Sequence, residues 1–116
     1  MMSVPILHME GFLIVQLQGE LQDEEIVEVQ RALLEEVHAT RARGVLIDVS
    51  GLDLVDSYTG RVLRDTAAMV RLMGARTVVT GIQPAVAITL VEMGLELSGI
   101  HVDLNLERGL EWLRGS

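Results

Sequence analysis

The sequence contains no cysteine. A chain without thiols forms neither a disulfide framework nor a thiolate metal site, and this composition suits a reducing cytosol. The three histidines, His8, His38 and His101, include no pair at metal-ligand spacing. We therefore expect no metal, no cofactor and no catalytic histidine, with His38 solvated and the other two half-buried in strands.

Positive charge is scarce. Nine lysine and arginine residues stand against 17 aspartate and glutamate residues, so the formal net charge is −8. A surface of this sign repels a phosphate backbone instead of releasing its counterions. Nucleic acid is therefore not an expected partner.

Long apolar runs and linkers are also missing. No run approaches the roughly 20 residues that a membrane-spanning helix needs, and the N-terminal "MMSVPILHMEG" lacks the basic segment and apolar core of an export signal. Only two prolines occur, and no segment is of low complexity. We expect a soluble, cytoplasmic protein with no membrane contact and one domain over residues 1–116, because 49% apolar residues are ample for a single core.

The first third of the chain has clear local patterns. "PILHMEGFLIVQLQG" is apolar on both sides of Glu10-Gly11, which predicts a β-hairpin with strands at about 6–9 and 12–18. A helix should follow, because acidic residues precede an apolar stripe at Ile26, Val29, Leu33 and Val37. Two arginines and Gly44 mark its expected end.

The remainder alternates strands with helices. Strands are predicted at 45–49, 77–80 and 100–102. The three helices that follow them are expected to bury these residues: Leu63, Ala67, Val70 and Met73 in the first; Ala87, Ile88, Val91 and Leu95 in the second, which starts near Pro84; Leu106, Leu110 and Leu113 in the third, which starts at Asp103 or Asn105. This alternation predicts an α/β fold with a mixed, mostly parallel sheet, an N-terminal hairpin and about four helices.

Between the strand at 45–49 and its helix lies "DLVDSYTG", with three hydroxyls and two carboxylates in eight residues. The first amides of a helix are unpaired and favour negative charge. The position therefore suits a cap, a phosphate acceptor or a catalytic group.

An enzyme would use the acids Asp48, Asp53 and Asp56, which cluster at one strand end. Capping and turn formation are the simpler interpretation of Asp53 and Asp56. Asp48 is placed like the phosphoacceptor of a receiver domain, but the chain opens with a hairpin instead of the strand and acidic pair that hold magnesium there. Phosphate-binding glycine loops are missing too, so these carboxylate hypotheses rank below a binding function.

Ser57 has two interpretations that the residues alone leave open. A serine at a helix start commonly caps an unpaired amide, and in that case it should be buried and the chain would be a purely structural α/β assembly subunit. The same position, beside two acids on an exposed loop, suits a regulatory phosphosite.

Four segments together resemble a known family. These are "ILHMEGFLIVQLQGEL", "GVLIDVSGLDLVDSYTGRVL", "GARTVVTGIQPAVAITLVEMG" and "LERGLEWL". The chain resembles a STAS domain, the fold of bacterial anti-anti-sigma factors, and within that family the RsbS-like proteins of the stressosome. The resemblance covers nearly the whole chain and implies a single STAS domain that acts by binding and not by turnover.

The resemblance also implies a partner-switching mechanism. Ser57 corresponds to the phosphoacceptor, with Thr59 as the alternative. The implied partners are a serine/threonine switch kinase of the RsbT type, an RsbR-like STAS paralogue in a homo- or hetero-oligomer, and a PP2C-type phosphatase. The expected docking face is made of Asp53, Asp56, Ser57, Tyr58, Thr59, Arg61 and Arg64, with Val62 beside them.

Overall fold

The computed structural model describes residues 4–94 and 99–115. Five strands and four helices follow one another along this part of the chain. They are β1 (Ile6–Met9), β2 (Phe12–Gly19), α1 (Asp23–Thr40), β3 (Gly44–Leu52), α2 (Ser57–Leu72), β4 (Arg76–Thr80), α3 (Pro84–Glu92), β5 (His101–Asp103) and α4 (Leu106–Gly115). None of the helices in the described ranges is long and apolar enough to cross a membrane.

The strands form one sheet in the order β1-β2-β3-β4-β5. The β1–β2 pair is antiparallel, and β2, β3, β4 and β5 pair in parallel. Parallel neighbours need crossover connections of one hand, so strands in sequential order place α1, α2 and α3 on the same face of the sheet. The expected α/β class, mixed sheet, hairpin and four helices are confirmed.

The hairpin turn is made by Glu10 and Gly11, whose φ angles are 55° and 83°. Two consecutive residues with positive φ match the twist of a two-residue hairpin, and glycine adopts this conformation without a steric cost. The turn sets the register, in which Met9 lies opposite Phe12.

The larger core lies between the sheet and the three crossover helices. Alternate strand residues such as Leu13, Val15 and Ile47 are buried there. The stripe predicted for α1 is confirmed, since Ile26, Val29, Leu33 and Val37 are all buried.

The second core lies on the other face, under α4. Phe12, Ile14, Leu46 and Val78 point to this face and pack against Leu110 and Leu113. Small residues permit the close contact: a Cβ on Gly109 would lie 2.7 Å from Thr80 Cγ2, and one on Gly44 would lie 2.6 Å from Leu113 Cδ2. Gly44 therefore serves packing at the start of β3, while α1 ends earlier, at Arg41, with φ of 53°.

Two predicted helix faces are partly wrong. In α2, Ala67 and Val70 are buried and Leu63 is half-buried, but Met73 lies at the helix end and is 40% exposed. In α3, the expected face was built on Ala87, Ile88 and Val91, yet all three are exposed and the helix buries Val86 and Leu90 instead. Leu95 lies outside the described residues. Because α3 is apolar on nearly every side, its sequence does not specify which side meets the sheet.

Candidate functional site at the start of α2

The site begins where β3 ends. This strand is longer than predicted, because after an irregularity between Gln16 and Gln18 the pairing resumes with Gly51 opposite Gln18 and Leu52 opposite Gly19. The loop before α2 is therefore only the four residues 53–56. A short loop on a rigid strand holds the first turn of α2 in a defined position.

Asp56 caps α2. Its backbone is extended, with φ of −85° and ψ of 175°, and its Oδ1 accepts a hydrogen bond of 2.8 Å from the Thr59 backbone N–H. The carbonyl of Asp56 also accepts the first helical bond, from the Gly60 N–H at 3.0 Å. This geometry confirms the interpretation of Asp56 as a cap and makes a cap at Ser57 unnecessary.

Ser57 occupies the first position inside α2. It is half-buried, and within the described part of the chain its hydroxyl has no hydrogen-bond partner. The cap-only interpretation predicted a buried Ser57, and this prediction is wrong. The hydroxyl lies beside the unpaired N-terminal amides of α2, where a phosphate group is electrostatically favoured.

The sequence analysis expected Thr59 on the docking face, but the structure buries this residue. The residue is only 4% exposed, since α2 turns its side chain toward the protein interior. Val62 is buried as well, on the same side of the helix. Both side chains are therefore largely withdrawn from the surface around Ser57, and Thr59 contributes only a small exposed part to the wall of the neighbouring groove.

The remaining residues of the expected docking face lie at the protein surface. Asp53, Tyr58 and Arg61 are exposed, and Arg64 is half-buried with its Nε 3.6 Å from Asp65 Oδ1. Ser57, Arg61 and Arg64 follow one stripe of α2, because residues four and three positions apart share a helix face. The surface around Ser57 is therefore of mixed charge, with acids in the loop and arginines along the helix.

Asp48 is separate from this loop. It is 6% exposed and points to the α4 face, where its Oδ2 accepts a hydrogen bond from Thr80 Oγ1 at 3.0 Å. Its Oδ1 accepts bonds of 2.9 Å and 2.5 Å from the Ser50 backbone N–H and hydroxyl. Asp48 therefore does not converge with Asp53 and Asp56, whose loop leads into α2 on the other face, and the three acids form no common pair for acid–base catalysis.

An open groove lies next to the loop. It is lined by Glu20, Leu21 and Gln22 before α1 and by Leu52, Leu54, Asp56 and Thr59 on the other side. Leu54 is 69% exposed at its rim. The shape is that of a docking surface and not of a deep cavity with convergent polar groups.

The sequence analysis did not predict that residues 20–22 belong to the site. The parallel pairing of β2 with β3 brings the end of β2 next to the end of β3, more than 30 positions along the chain. The available signal was that two parallel neighbouring strands place their following loops at one edge of the sheet.

No group of three or more histidine, aspartate and glutamate side chains arranged to hold a metal ion occurs in ranges 4–94 and 99–115. A small apolar cavity lies among residues such as Leu63, Val79 and Val86.

Comparison with known proteins gives one family and several relatives. A family model described as the STAS domain matches residues 3–108. The RsbT co-antagonist protein RsbRA of Bacillus subtilis is 30% identical over 111 residues, which are 95% of this chain and 40% of that protein. The chain thus spans about two fifths of the length of this curated relative.

Two solved structures are similar over nearly their whole length. A serine-to-glutamate variant of Moorella thermoacetica RsbS has 40% identity and a TM-score of 0.86, with coverage of 96% of this chain and 94% of that one. A chain from the stressosome, described as a signal integration and transduction hub, has 40% identity and a TM-score of 0.83, with coverage of 95% and 96%. Sequence and structure therefore point to the same group of proteins.

Proposed function

The chain belongs to the STAS domain family, and we propose that it is a phosphorylation-switched antagonist and scaffold protein of a bacterial stress-signalling complex. Its relatives are named as stressosome components and as co-antagonists of RsbT. In the proposed mechanism the unphosphorylated chain binds and sequesters an RsbT-like serine/threonine kinase. Phosphorylation of Ser57 then releases that kinase.

One observation carries the proposal: the Ser57 hydroxyl is available. It is half-buried at the surface, has no hydrogen-bond partner among the described residues and is not needed as a cap, because Asp56 performs that role. A hydroxyl already committed to a helix cap would have to break its bond before modification. Ser57 has no such bond to lose.

The physical effect of phosphorylation is local. Phosphate adds a charge of about −1.5 to −2 at neutral pH. The N-terminal amides of α2 favour an anion at that position, so the domain has no electrostatic reason to refold. A bound kinase, in contrast, would have to bury a dianion next to Asp53 and Asp56, and burial of an unpaired charge is strongly unfavourable.

Three further parts complete the proposal. A PP2C-type phosphatase removes the phosphate and resets the switch. An RsbR-like STAS paralogue co-assembles with this chain, which itself catalyses no reaction. The open groove beside the loop and the separation of Asp48 from Asp53 and Asp56 support a binding role over a catalytic one.

The first test is the site of modification. The parent, Ser57→Ala and Thr59→Ala chains are incubated with the kinase and ATP, and their intact masses are measured. We expect one phosphate on the parent and on Thr59→Ala, and none on Ser57→Ala. Full labelling of Ser57→Ala would place the switch elsewhere.

The second test is binding. Ser57→Ala should bind the kinase as the parent does but stay bound after ATP is added. Ser57→Asp, which introduces a permanent negative charge, should bind at least about tenfold more weakly, a loss of roughly 1.4 kcal/mol. Ala68→Asp is the matched control, because it adds the same charge at an exposed position of α2 outside the expected docking face, and it should bind the kinase as the parent does. Undiminished binding of Ser57→Asp would contradict the switch and leave only a scaffold role.

A further inference from the structure

A second groove lies at the edge of the sheet opposite to Ser57. There α1 ends at Thr40 before β3 begins at Gly44, and α2 ends at Leu72 before β4 begins at Arg76. Because β3 and β4 pair in parallel, both helix ends lie at the edge where these strands begin. Ser57 follows the other end of β3, so the length of the sheet separates it from this groove.

The walls of this groove carry positive charge. It has a volume of about 700 Å³ and is lined by the residues that end α1 and α2, among them His38, Arg41, Arg43 and Met73. None of the described residues that line it is acidic, although the molecule as a whole has a formal net charge of −8. We call this region the basic groove.

Arg41 has a backbone conformation that is unfavourable for its residue type. It is the C-cap of α1, with φ of 53° and ψ of 43° in the left-handed region. Glycine commonly ends a helix in this conformation, and the turn after α2 uses Gly74 with φ of 89°. The other non-glycine residue with positive φ in the described ranges is Glu10, whose side chain pairs with Arg114.

The charge of Arg41 has no such partner. Its residue is exposed, and no ion pair or hydrogen bond involves its side chain within residues 4–94 and 99–115. Arg43 belongs to the same groove, with its Cζ 4.8 Å from the centre of the Phe12 ring and its Nη2 bonded to the Glu10 carbonyl. A strained residue with an unpaired charge in its own chain indicates a role toward another molecule.

The chemistry of the basic groove defines what it binds. Guanidinium groups bind carboxylates through paired hydrogen bonds, and arginine clusters recognise acidic motifs. Exposed apolar surface lies beside the charges, since Met73 is 40% exposed and the adjacent Leu72 is 88% exposed. We propose that the basic groove binds a short acidic segment of a different protein, with carboxylates on Arg41 and Arg43 and an apolar side chain against Met73.

The size and the surroundings of the groove favour a peptide over a larger anion. Its volume lies in the range of ligand pockets, which suits a few side chains and not a whole domain. A nucleic acid or a membrane surface would extend beyond the groove over a molecule of charge −8 and would be repelled there. A short peptide places its carboxylates only where the arginines are.

The first measurement is the affinity for a synthetic peptide. The probe is a dye-labelled hexapeptide in which two leucines are flanked on each side by two acidic residues, and fluorescence anisotropy is recorded at about 0.1 M salt. The comparison peptides carry the corresponding amides in place of the acids, or alanine in place of the leucines. The parent should bind the acidic peptide at least about tenfold more tightly than the amide peptide. A single-stranded oligonucleotide of the same length should bind more weakly than the acidic peptide.

Arg41→Gly separates binding from folding. The variant removes the guanidinium but introduces the residue type that a φ of 53° favours, so it should be at least as resistant to urea as the parent. Its affinity for the acidic peptide should fall at least about tenfold. Arg108→Gln is the matched control, because it removes the same charge at an exposed position of α4, and it should bind the peptide as the parent does.

Met73→Gln tests the apolar part of the contact. The change keeps the length of the side chain but places an amide where the leucine of the peptide packs. Binding of the leucine peptide should weaken about threefold or more, while the alanine peptide should bind the variant and the parent equally, as a direct contact requires.

Five results would overturn the proposal. The parent could fail to distinguish the acidic peptide from the amide peptide, or bind the oligonucleotide more tightly than either. Arg41→Gly could bind as the parent does or unfold at a lower urea concentration, Arg108→Gln could lose as much affinity as Arg41→Gly, or Met73→Gln could affect both leucine and alanine peptides alike. None of these results concerns the kinase or Ser57, so the inference fails or holds independently of the proposed function.

Discussion

At the scale of single residues, three neighbouring side chains at the start of α2 have different roles. Asp56 caps the helix through its bond to the Thr59 N–H, and Thr59 itself is 4% exposed. Ser57 lies between them, half-buried and without a hydrogen-bond partner in the described ranges. The division separates the residue that stabilises the helix start from the residue proposed to be modified.

This division predicts how stability responds to substitution. Asp56→Ala should lower the free energy of unfolding by about 1 kcal/mol, because it removes the cap. Ser57→Ala should change it by less than about 0.5 kcal/mol, since the side chain makes no bond that the fold needs. Urea unfolding of the parent and both variants measures the two values. A larger loss from Ser57→Ala than from Asp56→Ala would show that the serine, and not the aspartate, holds the helix start.

At the scale of secondary-structure elements, α4 is fixed to the sheet by close packing. Gly109 lies directly over the strands, and a Cβ there would be 2.7 Å from Thr80 Cγ2 and 2.8 Å from Leu46 Cδ1. Asn105 starts the helix, since its Oδ1 accepts a bond of 2.9 Å from the Arg108 backbone N–H. The alternative start at Asp103 is wrong, because Asp103 Oδ1 instead accepts from the Leu104 N–H at 2.8 Å.

Substitution of Gly109 tests this packing. Gly109→Ala should destabilise the protein by about 1–3 kcal/mol, because the added methyl group must displace α4 or the buried side chains beneath it. Gly115→Ala is the matched control in the same helix, where a Cβ meets no atom within 4 Å. Thermal or urea unfolding of both variants gives the comparison. Equal stability of the two would mean that α4 shifts on the sheet without cost.

The hairpin turn is joined to the end of α4 by an ion pair. Arg114 Nε donates to Glu10 Oε1 at 2.9 Å, and Arg43 donates from Nη2 to the Glu10 carbonyl at 2.7 Å. The hydrogen bond from Arg114 lowers the pKa of Glu10 below its usual value, partial desolvation opposes this shift, and the charges of Arg114 and Arg43 add to it.

The lowered pKa has a defined pH dependence. A carboxyl group whose pKa is lower in the folded state stabilises the protein above its unfolded pKa of about 4.3, and this contribution is lost as pH falls through the folded value. Glu10→Gln should therefore be less stable than the parent at pH 7, and the difference should close in acid. Urea midpoints between pH 7 and pH 2.5 measure this. A difference that stays constant to the lowest pH would rule out the ion pair as its cause.

At the scale of the whole molecule, the shared direction of the helices sets where the charges of their first and last turns lie. Acidic residues lie in the first turn of α1 and α4, and basic residues lie in the last turn of α1, α2 and α4. Each helix alone gains a small stabilisation from this order. Because all of them run from the same edge of the sheet to the other, the molecule gains an acidic end and a basic end.

Co-assembly is the property expected at this scale. The chain mixed with an RsbR-like paralogue should elute from a sizing column as a species larger than either protein alone, at micromolar concentration. The Ser57→Ala chain, which lacks the proposed phosphoacceptor, is run in parallel and should form the same larger species. An unchanged monomeric elution profile of the mixture would contradict the scaffold part of the proposal.

The sequence by itself determined the elements and their order. Hairpin turn, helix caps and the buried stripe of α1 depend on contacts within a few positions of the chain, so turn chemistry and periodicity reveal them. The same local signals located Asp56 and Ser57 at the start of α2. They also predicted the α/β class, because alternating strands and helices leave few other arrangements.

Only the tertiary structure decided what depends on neighbours distant in sequence. The pairing of β2 with β3 brought Glu20 and Leu21 beside the Ser57 loop, and the face of the sheet to which Asp48 points removed it from that site. Packing buried Thr59 and turned Ile88 of α3 to the surface. These outcomes depend on which surfaces meet across the sheet, and periodicity within one segment carries no information about its partner.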